Sequence, residues 1–287
     1  MKKIGIIGGS GLYDIEGIDN LTKTTVSTPF GDPSGDYHIG TLNGVGVVFL
    51  PRHGAKHKIL PGEINYRANI YGFKSLGVED ILSVSAVGSL KENIAPMDMV
   101  VPDQFFDRTN GSRKSTFFGD GIVAHISFAE PVCPILAKAL YETSSSLGIT
   151  THQGGTYLNM EGPAFSTKAE SHVYRSWGMD IIGMTNLVEA KLAREAEICY
   201  ATLAMVTDYD CWHESHEHVT LETVIEYLTK NIHNAKNILK TLISNLPDTS
   251  KCSCKQALKT AIFTRPENID SECVDKMGLI IEKYIKK

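Results

Sequence analysis

The sequence has no long apolar run. No stretch approaches the roughly 18 uninterrupted apolar residues of a membrane helix, so no membrane span is expected. It has no surplus of positive charge either: 28 Lys and Arg stand against 33 Asp and Glu, a formal charge of −5. Proteins that grip a phosphate backbone need a cationic face, so nucleic acid is not an expected partner. Two lysines precede the first apolar run, but Gly8-Gly9-Ser10-Gly11 ends that run too early for a signal-peptide core. Internal repeats, low-complexity tracts and a clear linker are all missing. What is left is an ordinary globular composition, 42% hydrophobic and 21% charged over 287 residues. A chain of that size can bury a large core without staples. A cytoplasmic enzyme or binding protein is expected, and six cysteines are the one oddity for that compartment.

Short apolar runs recur and stop at chemically interesting residues. The runs are Ile4–Ile7, Val45–Leu50, Asp80–Ala86, Met97–Val101, Tyr157–Met160, Asp180–Met184 and Tyr200–Val206. Continuous apolar runs suit strands covered on both faces. Helical periodicity fills the gaps at Ile64–Leu76, Pro134–Leu147, Leu187–Glu197 and Thr220–Ile243. This alternation argues for a three-layer α/β fold. The segment from Arg265 to Lys287 reads as an appendage whose amphipathic end (Met277, Ile280, Ile281, Tyr284) forms a short helix.

Four strand ends carry groups suited to an anion. Gly8-Gly9-Ser10-Gly11 offers backbone N–H groups and a hydroxyl. It lacks the last Gly of a dinucleotide fingerprint, where Asp14 stands, and the Gly-Lys-Ser/Thr of a P-loop. Pro51-Arg52-His53-Gly54 offers a planar guanidinium and an imidazole. Ser85 and Thr185 add hydroxyls, the latter just before a helix whose N-terminus favours negative charge. Each signal alone is also compatible with a structural turn or a satisfied core polar group. Together, with no Lys and no metal-binding cluster, they suit free orthophosphate better than a magnesium–nucleotide. Asp208 and Asp210 follow a further strand, and alternation puts them on one side. Such a pair could bind a metal, pair with Arg, meet the amino edge of a purine, or give a proton to a leaving base. His213, His216 and His218 lack metalloprotease spacing and read as a polar loop.

In this order the motifs resemble a known family. Gly5-Ile6-Ile7-Gly8-Gly9-Ser10-Gly11-Leu12, Thr28-Pro29-Phe30-Gly31, Arg52-His53-Gly54, Ile64-Asn65-Tyr66-Arg67-Ala68-Asn69-Ile70, Ala129-Glu130-Pro131, Glu161-Gly162-Pro163-Ala164-Phe165-Ser166 and Ala204-Met205-Val206-Thr207-Asp208-Tyr209-Asp210-Cys211-Trp212 are similar to the methylthioadenosine phosphorylases of the trimeric purine nucleoside phosphorylase superfamily. The resemblance covers about residues 1–262. It implies a single catalytic domain over 1–264 with a mixed central sheet, and a helical extension, 265–287, packed on it. It implies phosphorolysis of methylthioadenosine to adenine and 5-methylthioribose 1-phosphate, with no cofactor and no metal.

The implied roles follow residue by residue. Ser10, Arg52, His53, Ser85 and Thr185 would hold phosphate. Asp208 and Asp210 would recognise adenine and serve catalysis. Ala86, Phe165, Ser166 and Met184 would border the base and ribose. Leu221, Val224 and Ile225 would line the alkylthio pocket. His125 would serve a neighbouring subunit's site, which implies a homotrimer or a hexamer. Two positions depart mildly from relatives: Ala164, where many carry Arg, and Ser85, where Thr is found. Superfamily members acting on 6-oxopurines carry Glu where Ser166 stands and Asn where Asp208 stands, so a 6-aminopurine is the expected base; adenosine, methylthioinosine and 6-oxopurine nucleosides remain alternatives, as does a nucleoside-binding protein without turnover. A Cys252-x-Cys254 pair resembles the disulfide-bearing C-termini of hyperthermophile relatives, implying bridges Cys133–Cys199 and Cys252–Cys254.

Overall fold

The computed structural model of the chain describes residues 2–9, 11–12, 15–213 and 221–285, the stretch 221–225 by its backbone alone. The order of elements is β1 (Lys3–Gly8), β2 (Asp19–Thr24), β3 (Tyr37–Leu42), β4 (Val45–Pro51), α1 (Tyr66–Ser75), β5 (Asp80–Ser89), β6 (Met99–Val101), β7 (Gln104–Arg108), α2 (Pro134–Ser146), β8 (Thr151–Gln153), β9 (Thr156–Met160), α3 (Lys168–Ser176), β10 (Ile181–Gly183), α4 (Asn186–Glu195), β11 (Cys199–Asp208), α5 (Leu221–Ser244) and α6 (Ser271–Ile285).

One mixed sheet joins these strands. Its main path runs β2-β3-β4-β1-β5-β10-β9-β7, and β11 branches from β5 toward β6 and β8. The centre is parallel: β4, β1, β5 and β11 point the same way, with Gly8 opposite Pro51, Ile7 opposite Ser83, and Asp208 opposite Gly88. Their C-terminal ends therefore share one edge, the place where open α/β sheets bind ligands.

Strand alternation explains the continuous apolar runs. In β1, Ile7 faces one core cluster while Ile4 and Ile6 face the other; in β4, Val48 and Leu50 oppose Val47 and Phe49. The first cluster lies under α1, α4 and α6, and the second under α2 and α5. Two helical layers thus sandwich the sheet. Helix α6 buries Met277, Ile280 and Ile281 in the first cluster. Each such side chain contributes about 1.5–3 kcal/mol when fully covered. Tyr284 and Lys283 of α6 also reach Glu197, the lysine at 3.0 Å.

The cysteine pairing needs correction. All six cysteines are free thiols, and neither Cys133–Cys199 nor Cys252–Cys254 is bridged. Instead the four sulfurs gather in one buried group, with Cys133 and Cys252 3.6 Å apart. Each thiol then faces three others, so the fold selects no single pair.

Candidate active site

The phosphate candidates come together through the parallel strand ends. The Arg52 backbone N–H donates to the Gly8 carbonyl at 2.9 Å, which locks the end of β4 to the end of β1. Ser10 lies outside the described residues. Arg52 is buried, and its fork turns inward. Nε donates to Glu189 at 2.5 Å, Nη1 to the Val84 carbonyl at 2.9 Å, and Nη2 to Ser83 at 2.5 Å and Glu189 at 3.2 Å. Burial works against the Arg52 charge, but the Glu189 carboxylate outweighs it and holds the guanidinium above its ordinary value. Of the five N–H groups of a guanidinium, one on Nη1 has no partner among the described residues.

Around this pair lies a network that the sequence motifs missed. Glu189 also accepts from Ser83 at 2.8 Å and from Tyr200 at 2.9 Å. Asn186 donates to Ser83, Tyr200 and Thr202 at 2.9–3.1 Å and accepts from Tyr157 and Thr185 at 3.1 Å. Gly183 makes this possible: a Cβ there would sit 1.9 Å from the Tyr157 hydroxyl. Asn186 and Glu189 are one turn apart on α4, so they share a face. A buried Glu needs a cation, and Arg52 supplies it.

His53 donates from Nδ1 to the Ile59 carbonyl at 2.8 Å and stacks on His57. Burial and the Arg52 charge push its pKa down to about 4. The ring is therefore neutral near pH 7, with its Nδ1 proton fixed, and Nε2 is an acceptor suited to a phosphate O–H. Ser83 and Ser85 share one face of β5. Ser83 is used by the ion pair; Ser85, nearer the strand end, contacts the Ala86 carbonyl at 3.3 Å and also bonds the Tyr157 side chain. Thr185 is buried and sits at the head of α4.

The carboxylates lie at the end of β11. Asp208 accepts from the Thr207 hydroxyl at 2.7 Å and from the Asp210 backbone N–H at 2.8 Å. Burial lifts its pKa to about 6, against those two hydrogen bonds. Burial also raises Asp210, opposed by the hydroxyls of Ser171 and Ser166. Asp210 adopts φ +51°, a left-handed conformation that Asp tolerates. Gly88 clears the space, since a Cβ there would come within 2.9 Å of Asp208 Oδ1. Ala86, two residues earlier on β5, is exposed although its neighbours Ser85 and Val87 are buried. An exposed alanine in a central strand marks the floor of a cleft.

The border residues sit on one loop and one strand end. Arg113, absent from the motif reading, is buried and grips both. It donates to the Met184 carbonyl, to Glu161 Oε1 at 2.9 Å and to the Glu161 carbonyl at 2.5 Å. Met184 lays its sulfur against Gly162, where a Cβ would be 2.6 Å away. Phe165 on the same loop is 75% exposed. Ser166 accepts from the Cys211 thiol through its carbonyl at 3.2 Å. His125 is exposed and packs edge-on to Phe263 at 5.2 Å. The side chains of Leu221, Val224 and Ile225, like His216 and His218, lie outside what is described; His213 bonds Glu92 at 3.0 Å.

With this geometry in place, the comparisons agree. A model of the phosphorylase superfamily matches residues 3–244. An S-methyl-5′-thioadenosine phosphorylase of Geobacter sulfurreducens is 54% identical, covering 98% of this chain and 99% of its own length. That span takes in most of the C-terminal segment that the motifs could not place. A methylthioadenosine phosphorylase crystal structure from an antarctic soil metagenomic library superposes with a TM-score of 0.92 at 48% identity, covering 97% of this chain and 98% of that one. The Schistosoma mansoni methylthioadenosine phosphorylase in complex with adenine gives 0.84 at 37% identity, over 90% and 96% of the two chains. The chain belongs to the phosphorylase superfamily and, within it, to the family of the S-methyl-5′-thioadenosine phosphorylases.

Proposed function

We propose that this protein cleaves S-methyl-5′-thioadenosine with orthophosphate, giving adenine and 5-methylthioribose 1-phosphate. The observation that carries the reading is the half-buried Asp208 carboxyl at the sheet edge that also gathers Arg52, His53, Ser85 and Thr185. Its pKa near 6 makes it an acid able to give up a proton close to neutrality. Phosphate would rest on the hydroxyls of Ser10, Ser85 and Thr185, the head of α4 and the free N–H of Arg52. The neutral His53 would accept a phosphate proton at Nε2. The nucleoside would lie over Ala86 between Phe165 and Met184, with Ser166 at its edge, its base toward Asp208 and Asp210, and its thioether toward Leu221, Val224 and Ile225.

The C1′–N9 bond loosens, and its electron pair goes to the base. Asp208 delivers a proton to N7, and a phosphate oxygen forms the new bond at C1′. Placement and charge stabilisation supply most of the effect. The step balances without an oxidant, metal or cofactor. An acidic pair suits the N–H groups of a 6-aminopurine, whereas a 6-oxopurine would set acceptor against acceptor. We further propose a homotrimer or hexamer acting in the cytoplasm, with His125 completing a neighbour's 5′ subsite. Among the described residues, no helix is long and apolar enough to cross a membrane. Product analysis tests the reaction: adenine and a ribosyl phosphate should form in equal amounts and only with phosphate. Adenine with free methylthioribose would instead reveal a hydrolase.

A further inference from the structure

The four gathered thiols lie apart from the strand-end chemistry. Cys133 precedes α2, Cys199 opens β11, Cys252 caps a 3-10 turn over Ser253–Gln256, and Cys254 lies within that turn. All four are buried, and their sulfurs lie within 4.8 Å of one another. We propose that Cys133, Cys199, Cys252 and Cys254 form a closed tetrahedral site for a zinc ion. A zinc–sulfur bond of about 2.3 Å places the four sulfurs of a tetrahedron about 3.8 Å apart. The cluster therefore has the required size, and each sulfur need move by less than about 1 Å.

The ligand set is soft and complete. Four thiolates select zinc over calcium, magnesium or manganese, and four protein ligands leave no open position for a substrate. The location agrees with a structural role. Cys199 begins the ten-residue strand that ends at Asp208, so the site is about 30 Å from the carboxylates at a strand rise of about 3.3 Å per residue. The Cys133 backbone N–H already donates to the Tyr200 carbonyl at 2.8 Å. The ion would tie the start of α2, the start of β11 and the turn after α5 at one point. Zinc displaces the thiol protons as four sulfur–zinc bonds form, with no change of oxidation state, and the Arg194 charge offsets part of the remaining negative charge.

The test is metal analysis of the whole chain purified without chelator or added zinc. About one zinc per chain is expected. Cobalt substitution should give the visible absorption of a tetrahedral thiolate centre. Cys254→Ser should lower bound zinc by about tenfold or more, whereas Cys273→Ser should leave it unchanged. Chelation should lower Tm without altering kcat at permissive temperature. A metal-free protein that titrates as six free thiols after unfolding overturns the proposal. So does a metal-free protein with only two, which would mean that the four close as disulfides. If Cys254→Ser fails to fold, the metal content and cobalt spectrum of the unsubstituted chain still decide.

Discussion

At the residue scale, Asp208 and Thr207 form a matched pair. The Thr207 hydroxyl lies 2.7 Å from the Asp208 carboxylate and 3.2 Å from the Val87 carbonyl. Its single proton serves one of them at a time. When Asp208 is ionised, Thr207 donates to it; when Asp208 is neutral, Thr207 can turn to Val87 and accept. Thr207→Val removes a hydrogen bond that favours the charged form, so it should raise the Asp208 pKa further. The alkaline limb of kcat/KM should then move to higher pH. Phosphate ionisation is common to both proteins, so the difference between their profiles reports Asp208; coincident limbs would remove Thr207 from the proton path.

Asp208→Asn carries two signs. Phosphorolysis should fall by about 10²–10⁴-fold, the usual value of a positioned general acid. Stability should change the other way. A carboxyl whose folded pKa is raised above its unfolded value of about 3.8 costs the folded state stability as pH rises from there through about 6. The asparagine cannot ionise, and the Thr207 hydroxyl can reverse to accept from its amide. Above pH 7 the variant should therefore melt higher than the original. A lower Tm with full activity would contradict both parts.

At the element scale, the strand-to-α4 junction depends on the Arg52–Glu189 pair. Glu189→Gln leaves a buried guanidinium without its counter-charge, a change that costs about 3–5 kcal/mol. Urea unfolding should show that loss, and the KM for phosphate should rise as Arg52 shifts. A loss below about 1 kcal/mol would mean that the network tolerates the charge.

The same scale shows what was legible in the sequence. The seven strands read from apolar runs are all present, because each alternates between two buried faces. Strand β2 was invisible: Asp19-Asn20-Leu21-Thr22-Lys23-Thr24 is polar and almost wholly exposed at the sheet edge, so no burial imprints a pattern. Strand β8 is three residues long, too short to carry a period. Helix α3 had a readable signal that was passed over, the Thr167-x-x-Glu170 capping box, whose two hydrogen bonds both form. In the site, loop motifs pointed to Arg52, His53, Ser85, Thr185, Asp208 and Asp210. Glu189 and Arg113 escaped because each acts on these residues from a distant part of the chain, which local spacing does not register, and Asn186, although beside Thr185, has its other partners on β5, β9 and β11.

At the scale of the whole molecule, two features point outward from the single fold. Val123 and Phe263, beside His125, are 51% and 69% exposed, an apolar surround that suits contact with another copy. Sedimentation equilibrium should give a trimer or a multiple of it, and His125→Ala should raise the KM for the thionucleoside more than that for phosphate. A monomer of full activity would sink the shared-site reading.

The central claim is that a half-buried acidic pair reads a 6-aminopurine while the strand ends hold phosphate. The most direct measurement is phosphate-dependent base release from methylthioadenosine, adenosine and inosine under one set of conditions. The account predicts the highest kcat/KM for methylthioadenosine, with adenosine lower by about 10–200-fold, the range that one apolar contact provides. Inosine should be lower still, and no base should appear without phosphate. Comparable turnover of inosine and methylthioadenosine, or base release that ignores phosphate, would contradict it.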